Sequence, residues 1–121
     1  MPGIRIKRAY EPPSASDGRR ILVDRIWPRG LTKAAAVFDE WDKNLAPSTA
    51  LRKWFGHAPE RWDEFRARYR SELKDQAARL DALRAMAKTQ TVTLVFSAKD
   101  AEHNQAVALQ ELLEEKPKRK S

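Results

Sequence analysis

The chain contains no cysteine, and that single absence removes disulfides, thiolate metal sites, persulfide chemistry and cysteine nucleophiles together. Glycine is scarce, with four in 121 residues, and no glycine-rich loop follows either strand-like run, so no dinucleotide or phosphate-cradling motif is read. Histidine is limited to His57 and His103. A metal site would have to combine His103 with Asp24 and Asp100, and none is expected. No apolar run reaches the roughly 18 residues that span a bilayer, and the start of the chain lacks the charged and apolar segments of a signal peptide. The expectation is a cytoplasmic protein with no membrane contact.

What is present suits a folded domain. Apolar residues make up 41% of the chain and charged residues 34%, with four Trp and four Phe to fill a core. A length of 121 residues fits one domain, read as residues 1–115 followed by a basic, disordered tail at 116–121. The formal charge is +7, but Lys116, Lys118, Arg119 and Lys120 supply four of those charges, which leaves +3 for residues 1–115. A nucleic-acid binder usually spreads its basic residues over a folded face, so nucleic acid is the less favoured partner.

The chain is organised around Gly18 to Lys33. Ile21, Leu22 and Val23 form a short apolar run of the kind buried on both faces of a sheet. The run ends in Asp24 and Arg25, and Trp27-Pro28-Arg29-Gly30 cannot continue it, because proline lacks the ladder donor and glycine marks a change of direction. Before it, Ile4 to Arg8 alternates apolar and basic residues like an edge strand, and Tyr10 to Asp17 reads as a loop closing on an Asp17-Gly18 turn. After it, Leu31 to Ala36 forms a helical turn capped by Thr32, and Val37 to Trp41 reads as a short strand, with a continuation of the helix as the alternative.

Ser48 caps a helix through Leu51, Trp54 and Phe55 that Gly56 ends. Pro59 opens the next helix, whose apolar stripe runs Trp62, Phe65, Tyr69, Leu73, Ala77, Leu80, Leu83 and Met86. A break is expected near Lys74 to Gln76, with Asp75 as a second cap. Trp41 belongs with this core set. Thr91 to Ser97 is the strongest strand and is expected at the centre of the sheet. A final helix starts at about Ala101 or His103, capped by Asp100, and is stopped by Pro117.

Strands alternating with helices predict a small layered α/β domain, its short sheet mainly parallel or mixed and flanked by helices. Parallel strands end on one edge, and open α/β sheets bind ligands outside those ends. That edge would gather Asp24, Arg25, Trp27 and Arg29 with Ser97, Lys99, Asp100, His103 and Asn104, and Lys33 and Lys43 are within plausible reach. Arg25, Arg29 and Lys99 suit a phosphate or carboxylate, although Arg25 is equally suited to pairing with Asp24 or Asp100. Trp27 either stacks on a planar ligand or lids the core. Asp24 and His103 are the candidates for acid/base work, Asp24 being held ionised by nearby cations and His103 held neutral by the start of the last helix. Ser97 lacks the glycine-flanked turn of a nucleophile elbow.

The runs Ile-Lys-Arg-Ala-Tyr, Leu22-Val23-Asp24-Arg25, Trp27-Pro28-Arg29-Gly30, Leu45-Ala46-Pro47-Ser48, Trp54-Phe55, Arg61-Trp62 and Ala98-Lys99-Asp100 with His103-Asn104 resemble the short bacterial, YeaO-like branch of the DUF488 family. The resemblance spans nearly the whole chain and implies a small α/β domain of uncharacterised function. Longer members carry a Cys-His-Arg near the position of His103-Asn104; this chain has no such cysteine, which argues against a thiol mechanism. Methyltransferase labels borne by some relatives find no cofactor loop here, and no cofactor can be named. The resulting expectation is a protein that binds a small anionic ligand at Arg25, Trp27, Arg29, Lys33, Lys99, Asp100, His103 and Asn104, with acid/base chemistry at most. The alternative is a nucleic-acid or protein interaction domain using exposed arginines and the tail.

Overall fold

A computed structural model describes residues 3–115. Its centre is a four-stranded sheet in the order β1-β4-β2-β3, built from β1 (Ile4–Arg8), β2 (Arg19–Leu22), β3 (Glu40–Trp41) and β4 (Val92–Phe96). Every neighbouring pair is parallel, with Leu94 of β4 level with Ile6 of β1 and Ile21 of β2. The most apolar segment thus takes the position flanked on both sides, and all five of its residues are buried.

Among the described residues five α-helices accompany the sheet, α1 (Lys33–Ala36), α2 (Thr49–Phe55), α3 (Trp62–Glu72), α4 (Ala77–Thr89) and α5 (Gln105–Glu114). Side chains alternate across a strand, so Ile4, Ile21, Val23, Val92, Leu94 and Phe96 point into one core with Leu51, Phe55, Phe65, Tyr69, Leu83 and Leu109 from the helices. The opposite face holds a smaller cluster, Ala9, Leu22 and Val95, covered by Trp27, Leu31 and Phe38.

That second face also buries charge. Asp17 accepts from Nζ of Lys7 at 3.1 Å and from Nη1 of Arg20 at 2.6 Å, and Arg20 donates further to the carbonyls of Ala36 and Val37, each at 3.0 Å. Burial acts to raise the Asp17 carboxyl, but the Ser14 amide and the two cations outweigh it and hold the group below its ordinary value. The Asp17-Gly18 pair, expected as a turn, is therefore also the anchor of a buried ion network. Gly18 makes the turn possible with φ +63°.

Several local expectations are corrected. Val37 is not in a strand; it closes α1 in the left-handed region, and only Glu40–Trp41 pair with β2. Trp41 is 37% exposed rather than core, because two residues of edge strand leave one side of its ring uncovered. The break after α3 is a 3-10 turn at Leu73–Gln76, and α4 starts there without a side-chain cap from Asp75. Pro59 opens a 3-10 turn that leads into α3. Ser48, Thr32 and Gly56 cap as expected, Ser48 accepting from the Leu51 amide and Gly56 taking φ +53°. Residues 116–121, expected as a disordered tail, lie outside the described residues, as does Pro117.

Candidate functional site

Parallel strands deliver their carboxyl ends to one edge, and a cleft of about 860 Å³ opens there. Its walls are the loop after β2, the loop after β4, and α2 with the Ala46-Pro47 segment leading to it; Tyr10, after β1, closes one side. Of the residues expected at the site, Asp24, Arg25, Trp27, Arg29, Ser97, Lys99, Asp100, His103 and Asn104 all line it. Lys33 and Lys43 do not. Gly30, at φ +79°, turns the chain, and the helix that Lys33 begins lies over the other face of the sheet, where its last carbonyls meet Arg20. Lys43 sits 4.1 Å above the Trp41 ring at the β3 edge.

The loop after β2 is built to project Arg29. The Leu31 amide donates to the Pro28 carbonyl, and glycine at the second central position completes the turn, leaving the arginine exposed at its tip. The Tyr10 hydroxyl donates to the Arg29 carbonyl at 2.9 Å, tying this turn to the end of β1. Trp27 donates its Nε1–H to the Leu31 carbonyl at 2.6 Å and packs on Phe38 and Trp41. Its ring both lids the small core and borders the cleft. Arg25 pairs with neither Asp24 nor Asp100; it donates to the carbonyls of Pro47 at 3.3 Å and Ala46 at 3.4 Å, which fixes the loop against the approach to α2.

Asp24 lies at the cleft floor, 8% exposed. One carboxylate oxygen accepts from the Ser97 amide at 3.0 Å and from the Ser97 hydroxyl, the other from the Gln105 side-chain amide. Burial is the dominant influence and pushes the carboxyl above its ordinary value, against those hydrogen bonds and the charge of Arg52. The cation acting on Asp24 is thus Arg52, not the loop arginines the sequence suggests. A raised carboxyl means that the folded state holds this proton more tightly than the unfolded chain. Its contribution to stability is complete at low pH and is lost as pH rises through the folded value. Asp24→Asn, with Gln105 turning its oxygen toward the new amide, should therefore match or exceed the native chain in urea denaturation at pH 8 and lose that advantage at pH 4. A variant less stable at pH 8 than at pH 4, relative to the native chain, would contradict this account.

The loop after β4 differs from expectation at the start of α5. Asn104, not Asp100, caps the helix, accepting from the Val107 amide at 3.0 Å. Asp100 organises the preceding bend instead, accepting from the amides of Glu102 at 2.9 Å and His103 at 3.0 Å. His103 consequently precedes the helix rather than occupying its first turn. Its Nδ1 faces Asp100 Oδ2 at 2.9 Å, and its ring stands edge-on to Trp62 with centroids 5.4 Å apart. The Glu102 amide and His103 together hold the Asp100 carboxyl below its ordinary value.

Sequence reasoning missed part of the lining. Arg52 and Lys53 of α2, His57 just beyond it, Tyr10 and Ile26 all border the cleft. The signal for the first two was legible, since Leu51, Trp54 and Phe55 pack on the core and the helical period turns Arg52 and Lys53 away from it. Ile26, at 63% exposure, carries no periodic signal at all. The cleft so assembled has an apolar floor at Phe55 and Phe65, and five Lys or Arg side chains face two Asp across it. Among the described residues no group of His, Asp and Glu is arranged to hold a metal ion, and no helix is long and apolar enough to cross a membrane.

Comparison with known proteins places these features. Residues 3–121 match the family model described as the inactive DUF488-N3 subclade. The chain is similar to the uncharacterized protein YeaO of Escherichia coli (strain K12), 44% identical over 110 residues that cover 91% of this chain and 96% of that one. It is equally similar, at 44% identity, to an uncharacterized protein of Mycobacterium tuberculosis (strain ATCC 25618 / H37Rv), covering 91% of this chain and 92% of the relative. No solved structure matches. With a parallel α/β core, the Asp24-Arg25 and Lys99-Asp100 segments meeting at one cleft, and a match over almost the full length, the chain belongs to the DUF488 family, in its YeaO-like branch.

Proposed function

We propose that this protein binds a small phosphate- or carboxylate-bearing molecule of the cytoplasm in the cleft at the carboxyl ends of β2 and β4, without covalent chemistry. One observation carries the reading. Lys7, Arg19, Arg20, Arg66, Arg68, Arg70, Arg79 and Arg84, none of which lines the cleft, each form an ion pair with a carboxylate. Arg25, Arg29, Arg52, Lys53 and Lys99 all line the cleft, and among the described residues none of them has a carboxylate within ion-pair distance. Cations without a carboxylate partner, converging in a concave site of this size, are what an anionic ligand requires.

The same contrast speaks against a nucleic-acid surface on the folded body, because most of the outer arginines already spend their donors on neighbouring acids, and Arg5, Arg8 and Arg61 spend theirs on backbone carbonyls. The description of the matching family as inactive accords with recognition rather than turnover. So does the absence of a poised nucleophile, Ser97 being tied to Asp24. Arg29→Ala should weaken calorimetric binding of a small organic phosphate by about 1.5–3 kcal/mol, the range of a charged hydrogen bond. The melting temperature should barely move, because the side chain is exposed and forms no hydrogen bond or ion pair among the described residues. Equal affinity in the two proteins would reject the reading.

A further inference from the structure

The cleft is rich in donors, and its acceptors are mostly used. Both Asp24 oxygens are occupied by Ser97 and Gln105, and Oδ1 of Asp100 takes the Glu102 and His103 amides. His103 is the exception. An Asp100 carboxylate that collects two backbone amides is an acceptor, so the proton between Oδ2 and the imidazole at 2.9 Å belongs to Nδ1. A neutral imidazole has only that one proton, which leaves Nε2 with a bare lone pair. The ring cannot readily turn away, since Trp62 stands against its edge and Asp100 is itself fixed by the Asn104 side chain donating to its carbonyl at 2.8 Å. No described residue hydrogen-bonds Nε2. His57, the other cleft histidine, has no such lock, because neither of its nitrogens meets a described partner.

We propose that the ligand carries a hydroxyl or amino group beside its anionic group, and that this group donates to Nε2 of His103 while the cleft cations hold the anion. This rests on the anion-binding reading and narrows the ligand to hydroxylated or aminated acids and phosphates, such as sugar phosphates, rather than simple alkyl anions. Asp100 is then a positioning residue that sets which nitrogen faces the ligand. A site built to accept such a hydrogen bond discriminates against the analogue that lacks the donor, because Nε2 is left unpaired beneath it.

The test compares glycerol 3-phosphate with propyl phosphate by calorimetry at pH 8, together with nitrogen-15 spectra of the imidazoles in the unliganded native protein. Glycerol 3-phosphate should bind about tenfold more tightly, the factor expected of one hydrogen bond. That ratio should collapse toward one in His103→Phe, which keeps an aromatic ring against Trp62, and shrink in Asp100→Asn. The spectra should show His103 protonated at Nδ1 and not at Nε2, a readout that needs no variant to fold. Equal binding of both phosphates by the native protein overturns this proposal and leaves the anion-binding reading standing. Binding of neither overturns both, and an Nε2–H tautomer overturns the proposal whatever the affinities.

Discussion

Arg20→Ala is expected to cost about 3–5 kcal/mol, the usual penalty for removing one partner of a buried ion pair. The guanidinium is nearly inaccessible, at 3% exposure, and serves three acceptors at once, Asp17 and the carbonyls of Ala36 and Val37, while lying over the Phe38 ring. Alanine leaves two carbonyls short of a donor and a buried carboxylate with Lys7 as its one cation beside the Ser14 amide. Urea denaturation at pH 7 measures the loss, and a change below about 1 kcal/mol, the size of an ordinary exposed pair, would refute it. Asp17→Asn in the Arg20→Ala background should recover part of it, since the deeply buried carboxylate is then gone and the charge left without a partner is the Lys7 ammonium, whose side chain is 18% exposed.

The pH dependence follows from the same network. Asp17 is held below its ordinary value when folded, so the stability it contributes is complete above about pH 4, the unfolded carboxyl's value. It is lost as pH falls through the folded value. Without Arg20, one of the causes of that depression is gone, and acid unfolding should begin at higher pH.

Gly18→Ala is the second large effect, expected at about 3–4 kcal/mol. Glycine here has φ +63° and ψ −129°, a combination that costs a residue with a Cβ roughly 1–3 kcal/mol in strain. Overlap adds to it, because a Cβ at this position would collide with the Thr91 carbonyl oxygen and stand 2.9 Å from the carbonyl carbon. That oxygen accepts from the Arg19 amide at 2.8 Å, the bond that starts the β2–β4 register. The Gly30→Ala variant is the control. Its φ is also positive, at +79°, but nothing stands within 4 Å of an added Cβ, so it should lose only the strain. Equal losses in the two variants would show that the collision is relieved by a small shift of the chain.

The parts of this molecule legible in its residues are those that depend on local pattern. The apolar run at Val92 reads as the central strand because nothing in it wants water, and Ser48, Thr32 and Gly56 mark helix ends by their own side chains or lack of one. The cleft was legible too, through the abrupt change from apolar to charged residues after Val23 and after Phe96. What escaped was set by distant partners. Asp17 reads as a turn residue until Lys7 and Arg20 are seen around it, and Asp100 reads as a cap until Asn104 takes that role. Trp41 reads as core because its burial depends on strand length, which two paired residues do not supply. Lys33 reads as part of the site because the direction the chain takes after Gly30 is a property of the turn and not of the lysine.

The position of β4 between β1 and β2 has a consequence for how the protein is made. A ribosome releases β1, β2 and β3 long before the segment that joins the first two, so the emerging polypeptide must keep two β-edges unpaired through the synthesis of more than half its length. At about 5–20 residues per second, that interval lasts several seconds. Completion of the sheet is therefore tied to the arrival of Val92–Phe96, and the charged residues that punctuate β1 and β2 are well placed to keep those waiting edges from joining a neighbour's.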